Sequence, residues 1–384
     1  MKSRKNLTLY FSNVERVHLG KDVFLVPYYL GKELGYNVRI LYPMTSTNKS
    51  LPSKYRGATL LPISYKGEPI KNRYIWRLIF LLMWIKYILP SDVFMEFHYY
   101  YLKNIIMGVL YKLLHPRGKL YLKMDASLIA LKDQDDYKSS LEKIYHNCWH
   151  WLFAKVVDCI TCETRASYDK ILSSKASCYK FRNKLIVMPN AFDDEALLEA
   201  DIKINNFKEK KNQFLTVSRI DDPGKNTEML LKALNKVDLK DWSFLIVGPY
   251  EDVYQNRINQ FYFENPDKKE NVFFTGGIED KIELWRMYNE SKVFVFTSRA
   301  ESCGLVFVEA NMFHDYLLST DVGAFYDVIS EGKYGFAVPQ DSHIKLSGEL
   351  QRIIDGSVNI DKYNDEDKGI RWSDVIKIVA MQLS

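Results

Sequence analysis

From one end of the chain to the other, short runs rich in β-branched and aromatic residues alternate with stretches of helical periodicity, and this alternation restricts the fold more than any other feature. It is the pattern of a parallel sheet covered by its own crossover helices, so the chain reads as α/β and doubly wound. Strands are expected near 6–12, 37–42, 58–64, 93–98, 118–124, 155–163 and 185–189. The pattern then restarts, with strands near 213–219, 243–248, 271–275, 292–297, 316–320 and 335–338 and helices near 226–237, 279–290, 304–314 and 342–354. A single core stops growing near ~250–300 residues, so in a chain of 384 the restart marks a second domain. The polar, aperiodic stretch from Glu199 to Asn212 reads as the linker. The expected division is an N-terminal Rossmann-like domain over 1–198, a second over 199–366, and a C-terminal helix over 367–384 packing back toward the first. Two such domains facing a cleft would hold ligands beyond the carboxyl ends of their strands.

Bulk properties narrow the classes further. With 47% hydrophobic and 26% charged residues the chain is neither disordered nor fibrous. Residues 1–190 carry 30 Lys and Arg against 14 Asp and Glu, a net +16, while the remainder is net −11. A basic half suggests an anionic surface or a phosphate-rich partner. It contains no reader motif for nucleic acid, so none is expected. The five cysteines are scattered and odd in number, which fits a reducing cytoplasm. Cys159 and Cys162 lie three apart on an expected strand, where they point to opposite faces, so a buried structural role is expected instead of a zinc half-site. The apolar run at Leu7–Phe11 is too short for a signal peptide, and Tyr74–Leu89, interrupted by Arg77 and Lys86, is too short to span a bilayer.

Two constellations could carry chemistry. Phe214–Asn226 is a strand, a loop and a helix start, and Arg219 and Lys225 at the two ends of the loop are expected to converge on one anionic group. The spacing of a Walker loop is absent. Further on, Thr297–Ala310 carries Glu301 in a loop, Gly304 where a helix opens, and Glu309 just over one turn into it. Free N–H groups at such a helix start bind phosphate, and acceptor-only carboxylates beside it suit sugar hydroxyls.

In this order and spacing, these motifs resemble the bacterial retaining glycosyltransferases of family 4, which have the GT-B fold. The resemblance covers nearly all of the C-terminal half, including Phe244–Gly248, Val272–Gly276 and the E-x7-E pair Glu301 and Glu309. It implies that Arg219, Lys225 and the backbone at Gly304 and Leu305 bind a donor diphosphate, that Glu301 holds sugar hydroxyls, and that Glu309 holds the ribose. The first half resembles the family less. Leu185–Asn190 matches the segment before the interdomain hinge, but Ala191 replaces the usual glycine, the usual Gly-Gly loop is reduced to His18–Lys21, and Asp327 stands where a glutamate is usual. Gly20 and Lys21 are then the acceptor-side loop. His98, ending the strand from Val93, takes the position of a residue that contacts the transferred sugar, and Asp125 ends the next strand similarly.

Two further patterns are set beside these. Asp133 and Asp135 have the D-x-D form of a metal site, but in a sequence that reads as a solvated loop, so no metal or other cofactor is expected. The helical stretch Tyr74–Leu89 carries an aliphatic face (Ile75, Leu78, Ile79, Leu82, Ile85, Leu89), expected to pack on the sheet. Its aromatic stripe (Trp76, Phe80, Met83, Trp84, Tyr87), flanked by Arg73 and Arg77, would suit an anionic membrane interface, the alternative being a helix buried on both sides. The sequence therefore reads as an enzyme transferring sugar, with retention, from a nucleoside diphosphate to a hydroxyl of a lipid-linked saccharide, peripheral on the inner face of the plasma membrane. A nucleotide-sugar epimerase of the same fold and a non-catalytic partner subunit are the competing readings.

Overall fold

The computed structural model describes residues 4–97, 101–125, 131, 133–134, 137–330, 332–364 and 366–384. The chain forms two compact units, residues 1–189 together with 372–384, and residues 190–371. Each is a parallel sheet covered by helices, the Rossmann-like architecture of GT-B glycosyltransferases.

The first unit contains strands β1 (Asn6–Tyr10), β2 (Asn37–Pro43), β3 (Lys54–Tyr55), β4 (Ala58–Ile63), β5 (Val93–Phe97), β6 (Lys119–Met124), β7 (Cys159–Cys162) and β8 (Leu185–Val187). Their order is β3-β4-β2-β1-β5-β6-β7-β8, with only the short β3 antiparallel to its neighbour. Every residue of β5 is buried, as expected of a central parallel strand covered on both faces. The order reverses direction between β1 and β5, so the loops after these two strands flank the switch point where doubly wound sheets bind ligands. Burial has a cost here. Glu96, on β5, is fully buried with no hydrogen-bond partner for either carboxyl oxygen, and burial raises its pKa well above the ordinary 4.5.

Two sequence expectations fail in this unit. The strand expected over 155–163 shrinks to Cys159–Cys162, because the helix Ser140–Val156, capped by the Ser139 side chain, takes in Val156, and the Val157 N–H still bonds Phe153. Both cysteines of that strand are buried. The faces of the helix Arg73–Met83 are also inverted. Trp76 stacks on Phe80 at 5.0 Å, Phe80 meets Tyr10 edge-on at 5.2 Å, and Trp84 is buried. Of the aliphatic side chains expected on the sheet, Ile79 and Leu89 pack against the core, whereas Ile75, Leu78, Leu82 and Ile85 face outward, the last three at 59%, 56% and 50% exposure. The large rings fill the space above β1, where each removes more apolar area from water than an aliphatic side chain would.

The second unit contains β9 (Lys211–Val217), β10 (Ser243–Val247), β11 (Val272–Gly276), β12 (Ser291–Phe296), β13 (Tyr316–Thr320) and β14 (Gly335–Val338). All are parallel, in the order β11-β10-β9-β12-β13-β14. Alternate residues feed two cores. Phe214, Val293 and Val295 pack in the cluster that contains Leu230 and Leu350, whereas Leu215, Phe294 and Phe296 pack with Trp285, Phe307 and Phe325.

The expected linker is built into this unit. Phe192 and Leu197 join the second of these cores, Asn205 bonds Asn289, and Lys210 is fully buried against Asp315 at 2.6 Å. The unit therefore begins at Asn190, ahead of residue 199. Burial raises Asp315 to about 7 and lowers Lys210, whose ammonium also donates to the carbonyls of Ser291 and Tyr288. At the other end, the helix Lys377–Leu383 packs on Asp22–Leu34 of the first unit. Among the described residues, no helix is long and apolar enough to cross a membrane.

Candidate functional site

The order of the second sheet reverses between β9 and β12, and both sequence constellations follow these two strands. The loop after β9 and the loop after β12 are sewn together. Thr297 Oγ1 donates to the Lys225 carbonyl at 2.9 Å, and the Arg299 N–H and Ser298 Oγ donate to the Gly224 carbonyl at 2.8 and 3.2 Å. Asp341, after β14, accepts from both Asn226 Nδ2 and Arg299 Nη2 at 2.9 and 2.8 Å. Asn226 adopts φ 53°, a left-handed conformation that asparagine tolerates, and the helix Thr227–Leu234 starts from it.

This stitching fixes where the cations go. Lys225 Nζ lies 2.6 Å from Glu301 Oε1 and 5.5 Å above the Phe296 ring, so the lysine and the first glutamate of the E-x7-E pair are brought together. Arg219 turns elsewhere. Its guanidinium bonds Asp221 at 2.9 Å and reaches Glu251 at 3.5 Å, so Arg219 and Lys225 are held by different carboxylates, with Arg219 and Glu251 exposed and Asp221 largely covered. The Glu251 N–H and the Arg219 guanidinium together hold the Asp221 carboxyl below its usual range.

Gly304 opens the helix Leu305–Met312 at φ +66°, and a Cβ there would lie 2.7 Å from the Phe307 ring. The close approach leaves the helix start, with the N–H groups of its first turn, bare of any side chain at that position. Glu309, on the same helix, is half-buried and accepts from the Tyr288 hydroxyl at 3.2 Å. Burial and this carboxylate push the Tyr288 phenol far above its usual range, so it remains a donor.

Beside this, a cavity of about 660 Å³ is lined by Pro249, Tyr250, Asp252, Gln255, Asn256, Gly276 and Gly277, after β10 and β11. Gly248 leads into it at φ +149°, where a Cβ would lie 1.5 Å from the Ser218 carbonyl oxygen, so only glycine fits. Sequence reasoning passed over Tyr250, Asp221, Glu251 and Asp341. The one available signal was their position just beyond strand ends.

In the first unit, Gly20 ends a short 3₁₀ turn from Arg16 and the exposed Lys21 leads into the helix Asp22–Leu34. Asp125 is exposed at the end of β6, and His98 lies outside the described residues. A buried ion triad, absent from the sequence reading, ties these loops together. Lys123, fully buried on β6, bonds Asp22 at 2.8 Å and Glu163 at 2.5 Å. Burial works against every charge in the triad. The two carboxylates nonetheless raise Lys123, and Lys123 holds Asp22 below its ordinary value, while burial leaves Glu163 raised to about 7. The triad anchors the loop carrying Gly20 and Lys21 to the strand that ends at Asp125. Asp133 is exposed, its carboxylate 3.6 Å from Lys170 Nζ, and Asp135 lies outside the described residues.

Comparison with known proteins bears on this geometry. Residues 199–368 match the family described as glycosyl transferases group 1. An uncharacterized 41.2 kDa protein in the cps region of Klebsiella pneumoniae is 30% identical over 192 residues, 49% of each chain. Phosphatidyl-myo-inositol mannosyltransferase of Mycolicibacterium smegmatis is 24% identical over 172 residues, covering 44% of this chain and 43% of that protein. The chain thus matches about half the length of these curated relatives. The crystal structure of Anabaena HepE in complex with UDP superposes with a TM-score of 0.62 over 98% of this chain and 95% of that one, at 15% identity. Most of the second unit thus matches the glycosyl transferases group 1 model, in a chain whose two Rossmann-like units have the fold of GT-B glycosyltransferases.

Proposed function

We propose that the chain is a retaining glycosyltransferase of family 4 that moves a sugar from a nucleoside diphosphate to a hydroxyl of a lipid-linked saccharide in surface glycan assembly. The observation that carries the reading is the Lys225–Glu301 pair at 2.6 Å, set beside the helix that opens at Gly304. A cation and a helix start take the diphosphate, and an adjacent carboxylate accepts from the sugar hydroxyls. As the glycosidic bond breaks, negative charge grows on the leaving diphosphate, where Lys225 and the backbone at Gly304 and Leu305 stabilise it most. Arg219, on the exposed rim, contributes from further out. Glu309 takes the ribose, and the cavity beside Tyr250 takes the base, with the tyrosine ring available for stacking.

The acceptor side rests on Gly20, Lys21, His98 and Asp125. Support for a lipid-linked acceptor at an anionic cytoplasmic leaflet comes from the net +16 of residues 1–190 and the outward aliphatic face at Leu78 and Leu82. With Lys225 supplying the charge, the proposed reaction needs no metal and persists in chelator.

Calorimetry with nucleoside diphosphates and their sugars tests the donor site. Loss of a charge-assisted contact worth ~1.5–3 kcal/mol should make Lys225→Ala bind the diphosphate about 10–100 times more weakly in protein that circular dichroism shows to be folded. Unaltered affinity refutes the assignment. Products formed only when an acceptor is present, with the donor's anomeric configuration, separate transfer from epimerisation.

A further inference from the structure

The first unit contains a second cavity, of about 890 Å³, that the donor and acceptor residues leave unused. Its size lies within the ~300–1,000 Å³ of small-ligand sites. The walls are apolar: Trp76, Phe80 and Trp84 from the helical segment after Asn72, Met107 and Leu110 from the helix Leu102–Leu114, and Tyr10 from β1. The charged residues that line it are Arg77 and Lys103, one from each helix, and no carboxylate is among the lining residues. Both cations are exposed.

We infer that this cavity holds one aliphatic chain of a lipid whose phosphate head is bound by Arg77 and Lys103. The inference rests on the proposed lipid-linked acceptor and names where its chain goes. Two observations favour this occupant. An apolar cavity of this size gains nothing from water, which needs polar partners to stay, whereas an aliphatic chain gains ~0.8 kcal/mol for each methylene it buries. Cations on two helices with no opposing carboxylate complement an anionic head, and a chain with a phosphate at one end carries both features in one molecule. The entrance is also placed for a lipid. Leu81, Leu110 and Leu114 line the cavity while remaining substantially exposed, and Leu81 shares a helix face with outward-facing Leu78 and Ile85. A chain can therefore enter without crossing a polar rim.

The test uses the full chain and dodecyl phosphate below its micellar concentration, read by calorimetry and by fluorescence of the tryptophans. Saturable binding is expected, at least tenfold weaker in Leu110→Glu and in Arg77→Glu/Lys103→Glu, with nucleoside diphosphate affinity unchanged as the control for folding. Inorganic phosphate should not displace the probe, and dodecyltrimethylammonium should bind at least tenfold more weakly. Absence of saturable binding, equal binding of the cationic amphiphile, or binding indifferent to both variants overturns the proposal. So does a concentration-dependent dimer dissolved by Leu110→Glu, which would put a second copy of the chain in the groove. If dodecyl phosphate binds as expected but no lipid-linked saccharide accepts sugar, the acceptor reading falls and the chain site stands. Transfer to such an acceptor without dodecyl phosphate binding overturns the chain site alone.

Discussion

Glu96→Met should stabilise the first unit, and by an amount that grows with pH. The side chain belongs to the fourth of the five residues of β5, with Oε2 only 3.1 Å from where a Cβ on Gly108 would be, and neither oxygen has a hydrogen-bond partner among the described residues. Methionine has nearly the same volume and no group to desolvate, so the exchange costs little in packing. Removing a buried unsatisfied polar group returns ~1–3 kcal/mol. A second contribution comes from linkage. Burial keeps the folded carboxyl protonated well above its ordinary 4.5, whereas the unfolded chain ionises near that value. As pH rises between these two values, only the unfolded state loses its proton, and the native state is destabilised by ~1.4 kcal/mol per pH unit. The advantage of the variant therefore widens as pH rises above 5, until the folded carboxyl itself ionises. Tyr10, opposite Glu96 in the ladder, does not titrate in this window, since burial and Glu96 push its phenol up to about 12. Glu163, raised to about 7, does titrate there, but it is common to both proteins and cancels in the difference. The assay is urea denaturation of both proteins at pH 5, 6 and 7, with hydrogen exchange of the β1 and β5 peptides assigning the transition to this unit. A variant no more stable than wild type at pH 7, or an advantage that stays constant with pH, refutes the reasoning.

The buried pair of the second unit behaves in the opposite way. Lys210→Met leaves Asp315 uncompensated and should cost ~3–5 kcal/mol, while Lys210→Met/Asp315→Leu should recover most of it, both read from urea midpoints. At the surface, Leu78→Glu/Leu82→Glu should abolish co-sedimentation with anionic vesicles at low salt without lowering the melting temperature, since both side chains face solvent. Equal sedimentation of variant and wild type, or of wild type with neutral and anionic vesicles, removes the membrane-binding role from this face.

The sequence exposed its architecture because parallel strands covered on both faces are nearly continuous apolar runs, as in Phe94–Phe97 and Val293–Phe296. Short elements escaped it. The helices Gln255–Glu264 and Gly323–Val328 carry weak apolar periodicity, and the first is mostly polar. Which face of an amphipathic helix is buried is not a property of its period, and Arg73–Met83 shows this, since two apolar faces compete and the bulkier one wins. Charges that neutralise each other across the fold are equally invisible along the chain. Lys210 looked like part of a polar linker because Asp315 is 105 residues away. Lys123, Asp22 and Glu163 are likewise scattered over three segments. In the proposed donor site, motif spacing singled out Lys225, Gly304, Glu301 and Glu309, which lie on the loop and helix start after β9 and β12. It gave no sign that Arg219 pairs with Asp221 and Glu251, which come from a turn and from a different strand's loop.

The pairing of Lys225 with Glu301 has its own consequence for the proposed donor. With Lys225 at 27% exposure and Glu301 at 11%, neither side chain has much water to fall back on when the other is taken away. A bare nucleoside diphosphate claims the lysine and leaves the carboxylate beside added phosphate charge. A complete nucleotide sugar instead brings hydroxyl donors to Glu301 at the moment it takes Lys225, so both halves of the broken ion pair are satisfied. The difference is that of leaving a mostly buried charged group unpaired, ~1.5–3 kcal/mol, which should make the nucleotide sugar bind about 10–100 times more tightly than its own diphosphate. Such a preference also favours release of the spent diphosphate once the sugar has left. Glu301→Gln retains hydrogen-bonding capacity but not charge, so it should tighten the bare diphosphate and narrow the ratio toward one while turnover falls. Calorimetric titration of both ligands into wild type and variant reads the ratio directly. A ratio that Glu301→Gln leaves unchanged would separate the carboxylate from the sugar and return it to a purely structural partnership with Lys225.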